Sequence, residues 1–407
     1  SIENTGGTID AATGAITKGS SLGTTGTAGL NIQGNITASN NLNLYGLTTN
    51  DTGINQGAYK LSGANIQAVG KSGSTFGIKF LANSQITTTG TSGNSLVIGY
   101  GASTSGVGGS GVVAMAGGNV FRAASGTTLT VNGQATTVAA DTNTSTRGIR
   151  IDGTVDTYGT VSLIGNSGSS DGFLLQAGSI NVRTGSLSIT GTLTANGGGW
   201  RPGVNISQPI WLYNNSSINI VGKASNSGAM TAGQAEWGVS TGGSGTIKEA
   251  AGQIAGDISI TGYSDSRQNS EGVLLNGSLT TSGGNIKVIG QTLAGETGAG
   301  IKATSTAMTA TNGDITIQSI GNHILLTNGS LTAKNITIDN TGAGQTSLIA
   351  DTTGGQSLSI GTVMGGSIDA TTGAITPGSG LRAAAGSAAA VSLVGTHSLT
   401  ATGNINI

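Results

Sequence analysis

Apolar and polar residues alternate in short bursts that recur along the whole chain. One burst places two apolar residues around a spacer and is usually entered through Gly, Asn or Ser. It reads Asn41-Leu42-Asn43-Leu44, Ser95-Leu96-Val97-Ile98, Val161-Ser162-Leu163, Ser186-Leu187-Ser188-Ile189 and Ser217-Ile218-Asn219-Ile220. It continues as Asp257-Ile258-Ser259-Ile260, Asn285-Ile286-Lys287-Val288, Asp314-Ile315-Thr316-Ile317, Asn335-Ile336-Thr337-Ile338, Ser357-Leu358-Ser359-Ile360 and Asn404-Ile405-Asn406-Ile407. Alternation with period two predicts a half-buried strand. From Ser186 to Ser357 successive copies start 21 to 40 residues apart. A strand returning at that period predicts a solenoid.

Two further strand-like pieces fill each interval. The first reads Gly-apolar-x-apolar, as in Gly77-Ile78-Lys79-Phe80, Gly148-Ile149-Arg150-Ile151, Gly172-Phe173-Leu174-Leu175 and Gly272-Val273-Leu274-Leu275. The second reads Gly-Ser-apolar-Thr or close to it, as in Gly178-Ser179-Ile180, Gly277-Ser278-Leu279-Thr280 and Gly329-Ser330-Leu331-Thr332. Three short strands per turn predict an all-β fold: a right-handed parallel β-helix, a three-sided solenoid of roughly 14 to 17 rungs. At ~4.8 Å per stacked strand it would be about 65–80 Å long. Gly and Asn at the corners supply the φ > 0 conformations a turning chain needs. The predicted inward rows are Leu187, Ile189, Ile218, Ile220, Ile258, Ile260, Ile286, Val288, Ile315, Ile317, Ile336, Ile338, Leu358 and Ile360. The shortest intervals, Ile315 to Ile336 and Ile336 to Leu358, predict the bare coil.

Extra residues gather at one corner, after the recurring burst and before the Gly-apolar strand: compare 99–111, 222–236 and 262–271 with 339–345. Stacked insertions form one edge of a solenoid, which is either a binding edge or tolerated loop length. A longer repeat also exists. Residues 6–19, containing Ile9-Asp10-Ala11-Ala12-Thr13-Gly14-Ala15-Ile16-Thr17, return at 365–378 as Ile368-Asp369-Ala370-Thr371-Thr372-Gly373-Ala374-Ile375-Thr376. The likeness continues to Leu44 and Ile407. It predicts that 6–44 and 365–407 are equivalent copies, with the same two-rung backbone, of a super-repeat of about 359 residues. The chain then reads as one continuous β-helix segment, 1–407, of a longer protein.

Composition narrows the class. Gly makes up 74 of 407 residues, while 8% are charged and 3% aromatic. Periodic Ile, Leu and Val argue against disorder, and three prolines without a third-residue Gly exclude collagen. The net charge of −1, with no basic stripe, argues against nucleic acid. There is no cysteine to form a disulfide. No run of 18 apolar residues predicts a membrane span, and Ser1 opens no signal peptide.

Gly-Asn-Ile-x-Ile and Gly-Ser-Leu-Thr phrases in a cysteine-free, Gly/Ser/Thr/Asn-rich chain resemble the repeat regions of filamentous-haemagglutinin-type exoproteins of Gram-negative bacteria. The resemblance covers essentially the whole chain and specifies a class. It implies a large secreted or cell-surface adhesin, exported through an outer-membrane partner and folded outside as a right-handed β-helix. It implies roles in adhesion, biofilm cohesion or toxin delivery.

Chemistry-bearing residues are sparse. His323 and His397 without cysteine predict no transition-metal site, and no cofactor is expected. The best carboxylate pair is Asp152 and Asp156. On one strand they would lie about 13 Å apart, beyond the ~5–9.5 Å of glycoside hydrolysis. With Arg147 and Arg150 they are expected to form a solvated ion-pair patch. The aromatics cluster in 197–213, so the candidate ligand contacts are Trp200, Arg201, Trp211 and Tyr213, followed by Trp237, Tyr100 and Tyr263 near the variable corner. The region is either an insertion packed on the rod or an exposed aromatic platform for sugar rings. The leading expectation is a non-enzymatic rod or stalk of a giant adhesin, with a surface glycan or neighbouring copies of the same rod as partners. The alternatives are a carbohydrate-binding module and a β-helical polysaccharide lyase or hydrolase. The flat Thr-x-Thr array of an ice-binding face is not found.

Overall fold

A computed structural model of the chain describes residues 29–103, 109–137, 146–194, 200–225, 235–265, 270–292, 298–322, 324–327 and 329–340. Beyond them it describes short strands at 8–9, 16–17, 348–351, 358–362, 367–368, 375–376, 379–381, 391–394, 398–401 and 405–406. Two compact units divide the chain, Ser1–Gly178 and Ser179–Ile407. Among the described residues every regular element is a strand.

In each unit a strand pairs in parallel with the equivalent strand one coil later. First strands, the Gly-apolar type, stack as Ile54–Gln56 on Ile78–Phe80 and as Val273–Leu275 on Ile301–Thr304. Second strands stack as Lys60–Gly63 on Gln85–Thr88 and as Leu279–Thr281 on Ala307–Ala310. Third strands, the recurring burst, stack as Asn41–Thr48 on Asn65–Ser72 and as Ile258–Ser264 on Ile286–Thr292. Three parallel ladders with coil-to-coil register make each unit a β-solenoid.

The inward rows follow the alternation. Leu187, Ile218, Ile258, Ile286, Ile315 and Ile336 occupy one row, and Ile189, Ile220, Ile260, Val288, Ile317 and Ile338 the next. None of these twelve is more than 2% exposed. The row stops there. Leu358 and Ile360 lie in the second-strand ladder, with Ile360 beside Leu331. The neighbour of Ile338 is Leu381. The 22-residue interval is therefore not a coil of the third ladder: a burst of x-apolar-x-apolar fits either ladder, and only pairing chooses. A smaller shift occurs at 95–98. Ser95 and Val97 align with the inward Leu129 and Val131, so Leu96 faces out. The buried Ser95 hydroxyl accepts the Ile66 N–H at 2.9 Å.

Asn and Asp before the burst have a structural task. Asp257 Oδ1 accepts the Asn285 N–H at 2.8 Å, and Asn285 Oδ1 accepts the Asp314 N–H at 2.9 Å. Asn335 Nδ2 donates to Asp314 Oδ1 at 2.8 Å. Each side chain thus satisfies a donor of the next coil at the corner where the ladder is interrupted.

Glycine carries a second constraint that the corner argument missed. Gly46, Gly70, Gly99, Gly133 and Gly165 form one row in the first unit. Gly191, Gly222, Gly262 and Gly290 form one in the second. None of them has positive φ. A Cβ at any of the nine would lie 1.9–2.1 Å from a carbonyl oxygen of Gly53, Gly77, Gly111, Gly148, Gly172, Gly203, Gly238, Gly272 or Gly300. Those partners are the glycines just before the inward apolar residue of each first strand. Two glycine rows therefore meet backbone to backbone. Among the described residues positive φ falls at other glycines, such as Gly178 and Gly185, and at Asn83, Asn214, Asn215 and Ser305.

Of the expected two-rung backbone of the long repeat, the start of each copy is described as one strand pair. Thr8–Ile9 pairs antiparallel with Ile16–Thr17, Thr8 opposite Thr17 and Ile9 opposite Ile16. Ser367–Ile368 pairs antiparallel with Ile375–Thr376, Ser367 opposite Thr376 and Ile368 opposite Ile375. Both copies are hairpins of matching register, because a connection this short reverses the chain and cannot return it in parallel. Gly14 and Gly373 lie outside the described residues.

We expect Gly262→Ala to destabilise the protein by more than about 3 kcal/mol, since its Cβ meets immovable backbone. Gly243→Ala, with nothing within 4 Å of the new Cβ, should stay within about 0.5 kcal/mol. Denaturant unfolding of both variants checks the pair. Ile317→Asp, which buries an unpaired charge between coils, should abolish the cooperative transition of the second unit; a variant melting like the parent would refute the inward assignment.

Candidate ligand-contact sites

Strand alternation decides where each candidate side chain goes. In the second strand Ile210–Leu212, Ile210 and Leu212 point into the core, so Trp211 points outward. It stands between Asn181 of the preceding coil and Lys248 of the following one. Lys248 Nζ lies 4.6 Å from the centre of its ring. Tyr213, just past the strand, has the Arg183 guanidinium 4.3 Å above its ring. Both rings are half-buried.

Tyr100 and Tyr263 hold matching places, one residue past the glycine row, each in its own unit. Tyr100 stands between Lys71 and Gln134, and Tyr263 between Lys223 and Gln291. Lys223 Nζ lies 5.5 Å from the Tyr263 ring centre. Burial raises the Tyr263 hydroxyl above the usual phenol range, and the nearby Asp265 charge adds to the effect.

The remaining candidates open the first strands. Trp200 pairs with Ala235, and the indole lies outside the described residues. Arg201 pairs with Glu236, and Pro202 with Trp237. Arg201 is 8% exposed and Trp237 9%. Neither is a platform. The Trp237 indole N–H donates to Glu271 Oε2, and Lys302 Nζ lies 3.5 Å from Glu271 Oε1. Glu236 is fully buried; its N–H donates to the Ser270 hydroxyl, and its carbonyl accepts from the Ser264 hydroxyl. The seven candidates thus occupy four separate places: Trp211 with Tyr213, Tyr100, Tyr263, and the first-strand trio of Trp200, Arg201 and Trp237.

The sequence reading missed this charged group of Glu236, Glu271 and Lys302 under the variable corner. Its only local signal is a Glu immediately before or two residues before a first-strand glycine. Burial drives the Glu271 carboxyl above the usual range; Lys302 and the Trp237 N–H hold it down in part. The first unit has a counterpart in the Arg147–Asp171 pair at 3.1 Å, with Asp171 5% exposed.

Asp171 also divides the expected ion-pair patch. Arg150 pairs with Asp152 at 2.8 Å, whereas Arg147 turns to Asp171. Asp156 lies on the next strand, Thr154–Ser167, opposite Val120. The single-strand spacing between Asp152 and Asp156 therefore does not apply. Among the described residues no three metal-ligating side chains gather. Among the described residues no helix is long and apolar enough to cross a membrane. His323 and His397 lie outside the described residues, as do 104–108, 226–234, 266–269 and 341–347 of the variable corner.

No protein-family model matches the chain, and neither does any curated protein or solved structure.

A Glu with a raised pKa stabilises the fold fully below its ordinary pKa, and that contribution is lost as pH rises through the raised value. We expect the melting-temperature advantage of the parent over Glu271→Gln to shrink from pH 4 to pH 8, read by circular dichroism. An advantage that grows with pH would contradict the burial argument.

Proposed function

We propose that this chain is part of the shaft of an extended, secreted or surface-held bacterial adhesin. In this reading it is a right-handed, three-sided β-helix of roughly 14 to 17 coils. The observation that carries it is the coil-to-coil repetition within each unit: the same glycine, apolar and Asx positions recur from one coil to the next. A chain built this way serves as a spacer whose reach scales with coil number. The resemblance to filamentous-haemagglutinin-type exoproteins supports export through an outer-membrane partner and a role in attachment or biofilm. The matched hairpins at Thr8–Thr17 and Ser367–Thr376 support a super-repeat of about 359 residues in a tandem array. Electron micrographs should show rods of uniform width, about 65–80 Å long at ~4.8 Å per coil. Compact particles would overturn the shaft reading.

A second reading, a carbohydrate-binding module, draws on half-exposed Trp211 and Tyr213 side by side with Lys248 and Arg183. On a glycan array, Trp211→Ala should lose any sugar bound by ring stacking. For a lyase or hydrolase no observation compares in weight, since Asp152 is tied to Arg150.

A further inference from the structure

In the second unit one outward row runs across the second strands as Trp211, Lys248, Thr280, Thr309 and Thr332. Arg183 lies diagonally from Lys248, two coils earlier and two residues along. At ~4.8 Å per coil and ~3.3 Å per residue their backbone positions are about 12 Å apart, and both side chains reach toward the coil between them. Each rests on an aromatic face, Lys248 on Trp211 at 4.6 Å and Arg183 on Tyr213 at 4.3 Å. Stacking restricts a long side chain that would otherwise lose several rotamers on binding. The nearby carboxylate of Glu249 is turned away, accepting the Ser282 N–H at 2.9 Å and the Ser282 hydroxyl at 2.6 Å. The row thus presents two cations, with the neighbouring Glu249 carboxylate engaged by Ser282, and is continued by hydroxyls. In the first unit the corresponding ladder repeats the motif, with Arg122 3.7 Å above Tyr158, but Asp156 stands two residues away. The second unit is the better anion surface.

We propose that this face holds an acidic polysaccharide, a polymer of uronic-acid type, lying along the coils. The inference rests on the carbohydrate reading of the Trp211 region and changes its chemistry. Carboxylates are held at Arg183 and Lys248, sugar hydroxyls face the threonine row, and the aromatic rings seat the cations instead of stacking on sugars. Two cations among hydroxyls suit a sparse polyanion better than a nucleic acid, whose densely spaced phosphates call for a longer run of cations.

The test is binding of the full chain to polygalacturonate, neutral dextran and double-stranded DNA, by biolayer interferometry at several salt concentrations. We expect polygalacturonate to bind, with affinity falling as salt rises, and dextran not to bind. The double variant Arg183→Gln, Lys248→Gln should weaken polygalacturonate binding at least tenfold with an unchanged melting curve, and Lys287→Gln should not weaken it. Parent-like binding by the double variant, or DNA bound more tightly than polygalacturonate, overturns the proposal. Dextran binding lost in Trp211→Ala overturns it too while upholding the stacking module. No binding to any polymer removes both, and leaves the shaft reading to the micrographs.

Discussion

The close approach of two glycine rows is the constraint on which each solenoid unit depends. In nine third strands a glycine backbone lies against the carbonyl of the glycine just before the inward apolar residue of the next first strand. No side chain fits between them. The third and first ladders therefore meet directly. The coil that includes Ser319 has neither glycine of this contact. Ser319 takes the place opposite Gly290, and His323 precedes Ile324 where a glycine stands elsewhere. Ser319 is fully buried and donates its hydroxyl to the Asn322 carbonyl at 2.5 Å. A polar side chain enters this seam only with a backbone acceptor waiting for it.

Away from the seam, order propagates from one coil to the next by like contacting like. Ile meets Ile, Asx meets Asx, and Gly meets Gly. Each buried Ile contributes on the order of 2–3 kcal/mol of hydrophobic stabilisation, and it does so only because adjacent coils cover it. The surface follows the same logic. Arg122, Arg183, Lys223 and Lys248 each cover an aromatic ring on a neighbouring strand. The few aromatics are thus drawn into coil stacking, and what they present to a ligand is a positioned cation more than an open ring face.

The variable corner has the opposite character. At the starts of the first strands lie charged groups: buried Asp171 with the half-buried Arg147 in the first unit, and buried Arg201, Glu236 and Glu271 in the second, where Trp237 donates to Glu271 and the more exposed Lys302 stands beside it. Burying charge is costly unless partners satisfy it. Such groups tie the start of a first strand to its neighbours where apolar stacking has ended. Loop length above them is inexpensive in closure entropy, so insertions collect there without disturbing the seam.

Sequence alone determined the strands, the three-strand coil and the inward rows as far as Ile338. Those features are local or strictly periodic, and alternation records both. It read the glycines of the first strands as corners. Their true role needed the tertiary contact, since Gly99 and Gly111, or Gly222 and Gly238, are brought together only by the fold. Pairing likewise decided that Leu358 and Ile360 join the second ladder, and that the long repeat begins as an antiparallel hairpin. The candidate contacts were legible as residue types and not as a site. Trp237 and Trp211 look alike in sequence, yet one is buried against a carboxylate and the other faces outward beneath a lysine. Alternation states which side of a strand a residue faces; which neighbour waits on that side is settled only when the coils stack.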